Sequence, residues 1–114
     1  MQRDIQLILD DILGMIEFIE ATVAERDREQ VMRDRITEFA LQRAMEIISE
    51  ASRHIPDELR QHAPDIPWQS IRAIGNILRH EYHRIADDII WDVIVGDLPG
   101  LKIAMHRLKA ETTV

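Results

Sequence analysis

A chain of 114 residues with a formal net charge of -7 and no cysteine has room for one core and excludes disulfide frameworks and thiolate metal sites. Its acidic balance argues against a sequence-independent duplex-binding protein, which needs a broad basic footprint, so any nucleic-acid contact has to be local. No apolar run approaches the roughly 20 residues that span a bilayer; the expectation is a soluble, cytoplasmic single domain over residues 1–114 with no membrane contact.

In chain order, Ile5, Ile8, Leu9, Ile12, Ile16, Ile19 and Val23 recur at steps of three and four, with Asp10, Asp11, Glu17 and Glu20 on the other side. This spacing predicts a long amphipathic helix near 2–26. The charged run from Arg26 to Arg35 reads as a solvated loop. Ile36, Ala40, Ala44, Ile47, Ile48, Ala51 and Ile55 repeat the helical pattern, giving a second long helix that ends near His54. Pro56-Asp57-Glu58-Leu59 reads as a proline-led helical turn, and Pro64 and Pro67 punctuate the loop after it.

The next helix, from about 68 to 84, carries the most informative pattern. Ile71, Ile74, Ile77, Leu78 and Ile85 cluster on one face, while Arg72, Asn76, Arg79 and His83 form a stripe opposite, with His80 one turn beyond Asn76. Imidazoles, guanidiniums and an amide gathered on one polar surface suit a phosphodiester. Asp87-Asp88 is expected to cap a last helix, which has to bend or restart at Asp97-Leu98-Pro99-Gly100. Ile89 to Val95 is rich in β-branched residues but reads as helix, because a lone strand has nothing to pair with. Its apolar residues wrap around too much of the helix for one core, so it either lies deep in the bundle or packs a second copy around Trp91 and Val95.

Plainer roles stand beside these. An isolated histidine in a helix is usually structural, and His54, His62, His83 and His106 read as surface or capping residues. His80 and His83 are spaced for a metal, but no carboxylate completes a site, so no metal or other cofactor is expected. Trp68 and Trp91 read as core or interface anchors. Glu50 is either a buried partner for an arginine or part of a solvated face.

Five pieces occur in a telling order: Arg3-Asp4 with the Leu9-to-Ile12 run, Ala44 to Ala51, Pro64 to Trp68, Asn76 to Tyr82, and Ile90-Trp91 through to Leu101. With them the chain, from Arg3 to about Leu108, resembles the HepT-like branch of the HEPN superfamily, toxins of prokaryotic toxin–antitoxin pairs. The resemblance implies an all-α, up-and-down bundle of four to five helices that dimerises and brings two copies of an arginine–histidine motif into one cleft. It also implies a metal-independent endoribonuclease acting on an RNA such as tRNA or mRNA, in a type VII-like pair. Such chemistry needs a base for the 2′-hydroxyl, an acid for the 5′-oxygen and a cation for the phosphorane; histidine suits the first two and arginine the third. The implied partner is a minimal nucleotidyltransferase antitoxin that silences the toxin by transferring AMP to Tyr82 of His80-Glu81-Tyr82.

The chain departs from the pattern at one position. The family's arginine directly precedes the asparagine, and here that residue is Gly75. The expected site is therefore His80 and Asn76, with Arg72 or Arg79 reaching the volume the arginine has vacated; glycine there would alternatively serve close helix packing. Three functions follow: a ribonuclease toxin, a weak or inactive homologue that binds a nucleotidyltransferase, and a structural dimer whose polar stripe binds a nucleotide or only water.

Overall fold

The computed structural model describes residues 4–113 apart from the His83 side chain; Arg3 of the resemblance and the His83 member of the polar stripe therefore lie outside the described residues. Asp4 opens helix α1 (Ile5–Val23) by accepting a hydrogen bond from the Gln6 amide at 2.8 Å, which satisfies one of the donors a helix start leaves free. The three-and-four spacing puts Ile8, Leu9, Ile12, Ile16 and Ile19 in the core.

The Arg26–Arg35 run is not a solvated loop. It holds a short helix, α2 (Arg28–Arg33), started by a reciprocal capping box in which the Asp27 carboxylate accepts from the Gln30 amide at 2.8 Å and the Gln30 side chain accepts from the Asp27 amide at 2.9 Å. Fully buried Val31 pins it to the core. One buried residue in six gives no periodicity, so charge dominates the sequence pattern there. Asp34 then caps α3 (Arg35–Ser52), accepting from the Ile36 amide at 3.0 Å and the Thr37 hydroxyl at 2.9 Å. The core row of α3 is Leu41, Ala44, Met45 and Ile48, whereas Ile36, expected inside, is 80% exposed.

The proline-led turn forms as α4 (Asp57–Arg60). Trp68 anchors the start of α5 (Trp68–His80) by donating its indole N–H to the Ala63 carbonyl at 3.0 Å. Helix α5 stops at His80, four residues short of the expected end. Glu81 (φ -102, ψ 153) and Tyr82 (φ -66, ψ 154) are extended, and α6 (His83–Asp92) begins afresh. Asp87 and Asp88 consequently sit inside a helix rather than capping one, and Asp88 instead pairs with Arg28 of α2. Residues 89–92 are helical, as expected. A π-helical turn, Val93–Asp97, then carries the chain into α7 (Leu98–Thr112) without a gap, with Pro99 in its first turn.

The fold is an all-α bundle, and no strand occurs among the described residues. Its long members are α1, α3, α5 and the α6–α7 pair, with α2 and α4 as short additions. Helix α3 is central, packed most extensively against α5 and α1, while α7 closes on α1. The Gln6 side chain donates to the Thr112 hydroxyl at 2.7 Å, and Lys102 pairs with Glu20 at 2.8 Å, both fastening α7 to α1. Truncating a fully buried residue such as Ile12 or Met105 would cost about 2–5 kcal/mol. Ile90 and Val93 belong to this core and Trp91 packs half-buried against it, but Val95 is 59% exposed.

Candidate active site

Helix α5 sorts its side chains by angle. Ile71, Ile74, Gly75 and Leu78 are buried, while Asn76, Arg79 and His80 are exposed and Arg72 is half-buried. Arg72, Asn76 and His80 follow at i, i+4 and i+8, so at about 100° per residue they share one face, with Arg79 beside them. Tyr82 does not share it. It lies past the helix end on the extended link and is 84% exposed. Its exposure comes from the helix break at Glu81–Tyr82.

Gly75 is the informative departure. Its amide lies 3.1 Å from the Ser49 hydroxyl of α3, and the same hydroxyl donates to the Arg72 carbonyl at 2.9 Å. A Cβ built on Gly75 would stand 3.3 Å from the Ser49 Oγ and 3.7 Å from the Glu46 Cα. Directly beside Gly75, α3 stands so close that a side chain there would press on Ser49. Glycine serves close helix packing here.

Arg53, which no sequence motif singles out, joins this region. From the end of α3 its Nε and Nη2 donate to the Arg72 carbonyl at 3.3 and 3.1 Å. Arg53, Gln69, Arg72 and Ala73 line a cavity of about 270 Å³. A wider cleft of about 740 Å³ opens between α2, α3 and α6, where four arginines (Arg28, Arg33, Arg35 and Arg84) meet the carboxylates of Glu29, Glu38 and Asp87. Much of that charge is neutralised within the cleft or at its rim, since Arg33 pairs with Glu29 at 3.1 Å and Arg28 with Asp88.

The other histidines are engaged elsewhere or remote. His54 lies 3.4 Å from Glu50, His62 lies 3.2 Å from Glu111, and His106 is on the surface of α7. Glu50 is thus on a solvated face, one of the two alternatives. Among the described residues no three of His, Asp and Glu come together as a metal-binding group, and no helix is long and apolar enough to cross a membrane.

The sequence model of the family described as Ribonuclease HepT-like matches residues 12–108, a span that holds the whole of α3, α5 and the extended link. The chain belongs to the HepT-like family. Its relatives include a probable ribonuclease HepT of Thermococcus cleftensis, 35% identical over 96% of this chain and 99% of that protein. A candidate RNase of Methanocaldococcus jannaschii is 32% identical over 89% of this chain and 93% of its own length. A candidate RNase of Caldanaerobacter subterraneus is 33% identical over 82% and 84% respectively. No solved structure matches the chain. Within this HepT-like chain, Gly75 lies packed against Ser49.

Proposed function

We propose that the chain is a metal-independent endoribonuclease and the toxin of a two-component pair. The observation that carries this reading is the exposed row of Asn76, Arg79 and His80 at the end of α5 in a chain of the HepT-like family. In the reaction, the 2′-hydroxyl oxygen attacks the adjacent phosphorus as its proton passes to an imidazole. The bond to the 5′-oxygen breaks as that oxygen takes a proton from a second imidazole, leaving a 2′,3′-cyclic phosphate. The two imidazoles are His80 from each of two copies, facing across a dimer cleft. Arg79 supplies positive charge, and Asn76 orients the phosphate through its side-chain amide.

The partner in this proposal is a minimal nucleotidyltransferase antitoxin, which transfers AMP to the phenol of Tyr82. The bulky anion then blocks the cleft and repels an incoming phosphate. Growth arrest on expression of the chain alone, relieved by His80→Ala and by the partner, tests the toxin reading. Arrest that persists in His80→Ala would remove His80 from the mechanism.

A second reading has one specific observation in its favour. Ser49 stands 3.3 Å from where a Cβ on Gly75 would lie, so the chain lacks the motif arginine and has a tight contact at that spot. On this reading the protein is a weak or inactive homologue that binds a nucleotidyltransferase partner or a nucleotide. Co-purification with the partner, together with no RNA cleavage at any enzyme concentration, would favour it.

A further inference from the structure

The polar face of α5 does not end at Asn76. One turn further back it reaches Arg72, and beyond that Gln69, where α3 brings Arg53 alongside. Arg72 precedes His80 by eight residues, about 12 Å along a helix rising 1.5 Å per residue. Two helical turns thus lie between them, which lets Arg72 meet a phosphate other than the one at His80. The backbone carbonyl of Arg72 is what bonds α5 to α3 at this residue: it accepts from Ser49 and twice from Arg53. The Arg72 guanidinium has no hydrogen bond or ion pair among the described residues. Arg53, by contrast, is held by its two bonds to that carbonyl, which spends part of its donor set and fixes its position beside Arg72.

The charge around these two arginines differs from that elsewhere on the molecule. The cavity they line contains Gln69 and Ala73 and no carboxylate, on a protein whose net charge is -7. The wider cleft at α2 and α6 has more arginines but offsets them with three carboxylates of its own. A guanidinium pair with no offsetting acid in its cavity, on the same helical face as an exposed histidine, fits an anion spaced along a strand from the one at His80.

We propose that Arg53, Arg72 and Gln69 form a phosphate-binding subsite that holds a neighbouring phosphate of the RNA strand whose scissile phosphate meets His80. The inference rests on the ribonuclease reading of His80 and divides the two arginines of α5 by task. Arg79 serves the reacting phosphate, and Arg72 with Arg53 positions the strand.

The test uses the full-length chain and two probes: a fluorescein-labelled single-stranded oligoribonucleotide and a dinucleoside monophosphate, which contains only the scissile phosphate. Binding of the oligonucleotide is measured in the His80→Ala background so that it is not consumed. Arg72→Ala and Arg53→Gln, the latter keeping an N–H donor for the Arg72 carbonyl, should each weaken binding about tenfold, as expected for loss of a charged hydrogen bond. Each should also lower the slope of log affinity against log salt by about 0.7, the increment for one phosphate contact on a single strand. A purely structural role would leave that slope unchanged. In the cleavage assay Arg72→Ala should raise KM more than it lowers kcat, with a larger penalty on the oligonucleotide than on the dinucleoside monophosphate.

Wild-type affinity and salt slope in both variants, or an equal penalty on both substrates, would overturn the subsite while leaving the ribonuclease reading intact. Binding that depends on these arginines in a wild-type chain that never cleaves would sustain the subsite and sink the ribonuclease. Should Arg53→Gln lose its folded structure, Arg72→Ala decides alone, because the hydrogen bonds to α3 at that residue use its backbone carbonyl, which the substitution keeps.

Discussion

Ser49 and Gly75 are joined by a 3.1 Å hydrogen bond from the glycine amide to the serine hydroxyl, and this contact brings α3 against α5 where the family's motif carries arginine. The serine is buried and bonded on both sides, so it has little freedom to yield to a side chain at position 75. Gly75→Arg should therefore destabilise the protein by about 1–3 kcal/mol through overpacking, and by itself it should not raise cleavage. Ser49→Ala should cost about 1 kcal/mol for the lost hydroxyl bonds. Because the two residues touch, the double variant should be more stable than the sum of the single losses predicts. Urea unfolding of the four proteins measures this, and strictly additive losses would show that the contact is not what excludes the arginine.

In the proposed mechanism His80 carries the proton transfer. Cleavage should survive EDTA, and His80→Ala should lower kcat by about 10² to 10⁴, the usual share of acid–base catalysis. Magnesium dependence, or full activity in His80→Ala, would mean that the chemistry lies elsewhere. Arg79→Ala should reduce kcat, in contrast to the KM effect expected for Arg72→Ala.

Tyr82 is the only tyrosine in the chain, which makes its modification simple to read. On co-expression with a minimal nucleotidyltransferase of the proposed kind, the intact mass should rise in whole AMP units that map to Tyr82, and Tyr82→Phe should stay unmodified. Label persisting in Tyr82→Phe would reassign the acceptor. An unmodified but inhibited wild type would point to inhibition by complex formation alone.

Assembly is testable on the same material. Ile85 is 44% exposed and Val95 59% exposed, and a dimer that buries them would complete a two-histidine cleft. The purified chain should sediment as a dimer at micromolar concentration, and Val95→Asp should shift it toward monomer. A wild-type monomer would rule out the composite cleft.

Acid should weaken the start of α3. The hydrogen bond from the Thr37 hydroxyl, aided by the Ile36 and Thr37 amides and by Arg26, holds the Asp34 carboxyl below its ordinary value of 3.8. A carboxyl with a lowered folded-state pKa favours folding fully above that ordinary value, and the contribution fades as pH falls through the folded value. The urea midpoint should thus lose an acid-dependent component below about pH 3.8 when Asp34 is replaced by Asn, which caps without titrating. Identical acid profiles in the two proteins would remove Asp34 from the linkage.

The long helices are legible in the sequence because their apolar rows are strict. In α1 the spacing from Ile8 to Ile19 leaves one face to bury, and the structure buries it. The shared face of Arg72, Asn76 and His80 is legible for the same reason, being a consequence of helical angle alone. The break at Glu81–Tyr82 is not, since neither proline nor glycine marks it and the apolar pattern runs on to Ile85. Helix α2 is hidden because its stability comes from a capping box, one buried valine and the Arg28–Asp88 pair, sixty residues apart. The role of Arg53 and the contact of Ser49 with Gly75 depend on how α3 crosses α5, and no local spacing encodes a crossing.

The π-helical turn at Val93–Asp97 decides which way α7 faces. The buried row of α6 runs through Ala86, Ile90 and Val93, and that of α7 runs through Leu98, Leu101, Met105 and Leu108. The two rows are out of phase: five residues separate Val93 from Leu98, so on an unbroken α-helix Leu98 would point about 140° away from Val93. The Leu98 amide instead donates to the Val93 carbonyl, five residues back, and the wider loop absorbs the surplus residue. It acts as a slip joint, letting two segments with mismatched registers form one continuous rod whose apolar rows both meet the core. Removing one residue from the stretch Ile94 to Gly96 should turn the joint into plain α-helix and keep both rows inward, whereas adding one would swing the leucines of α7 out toward water.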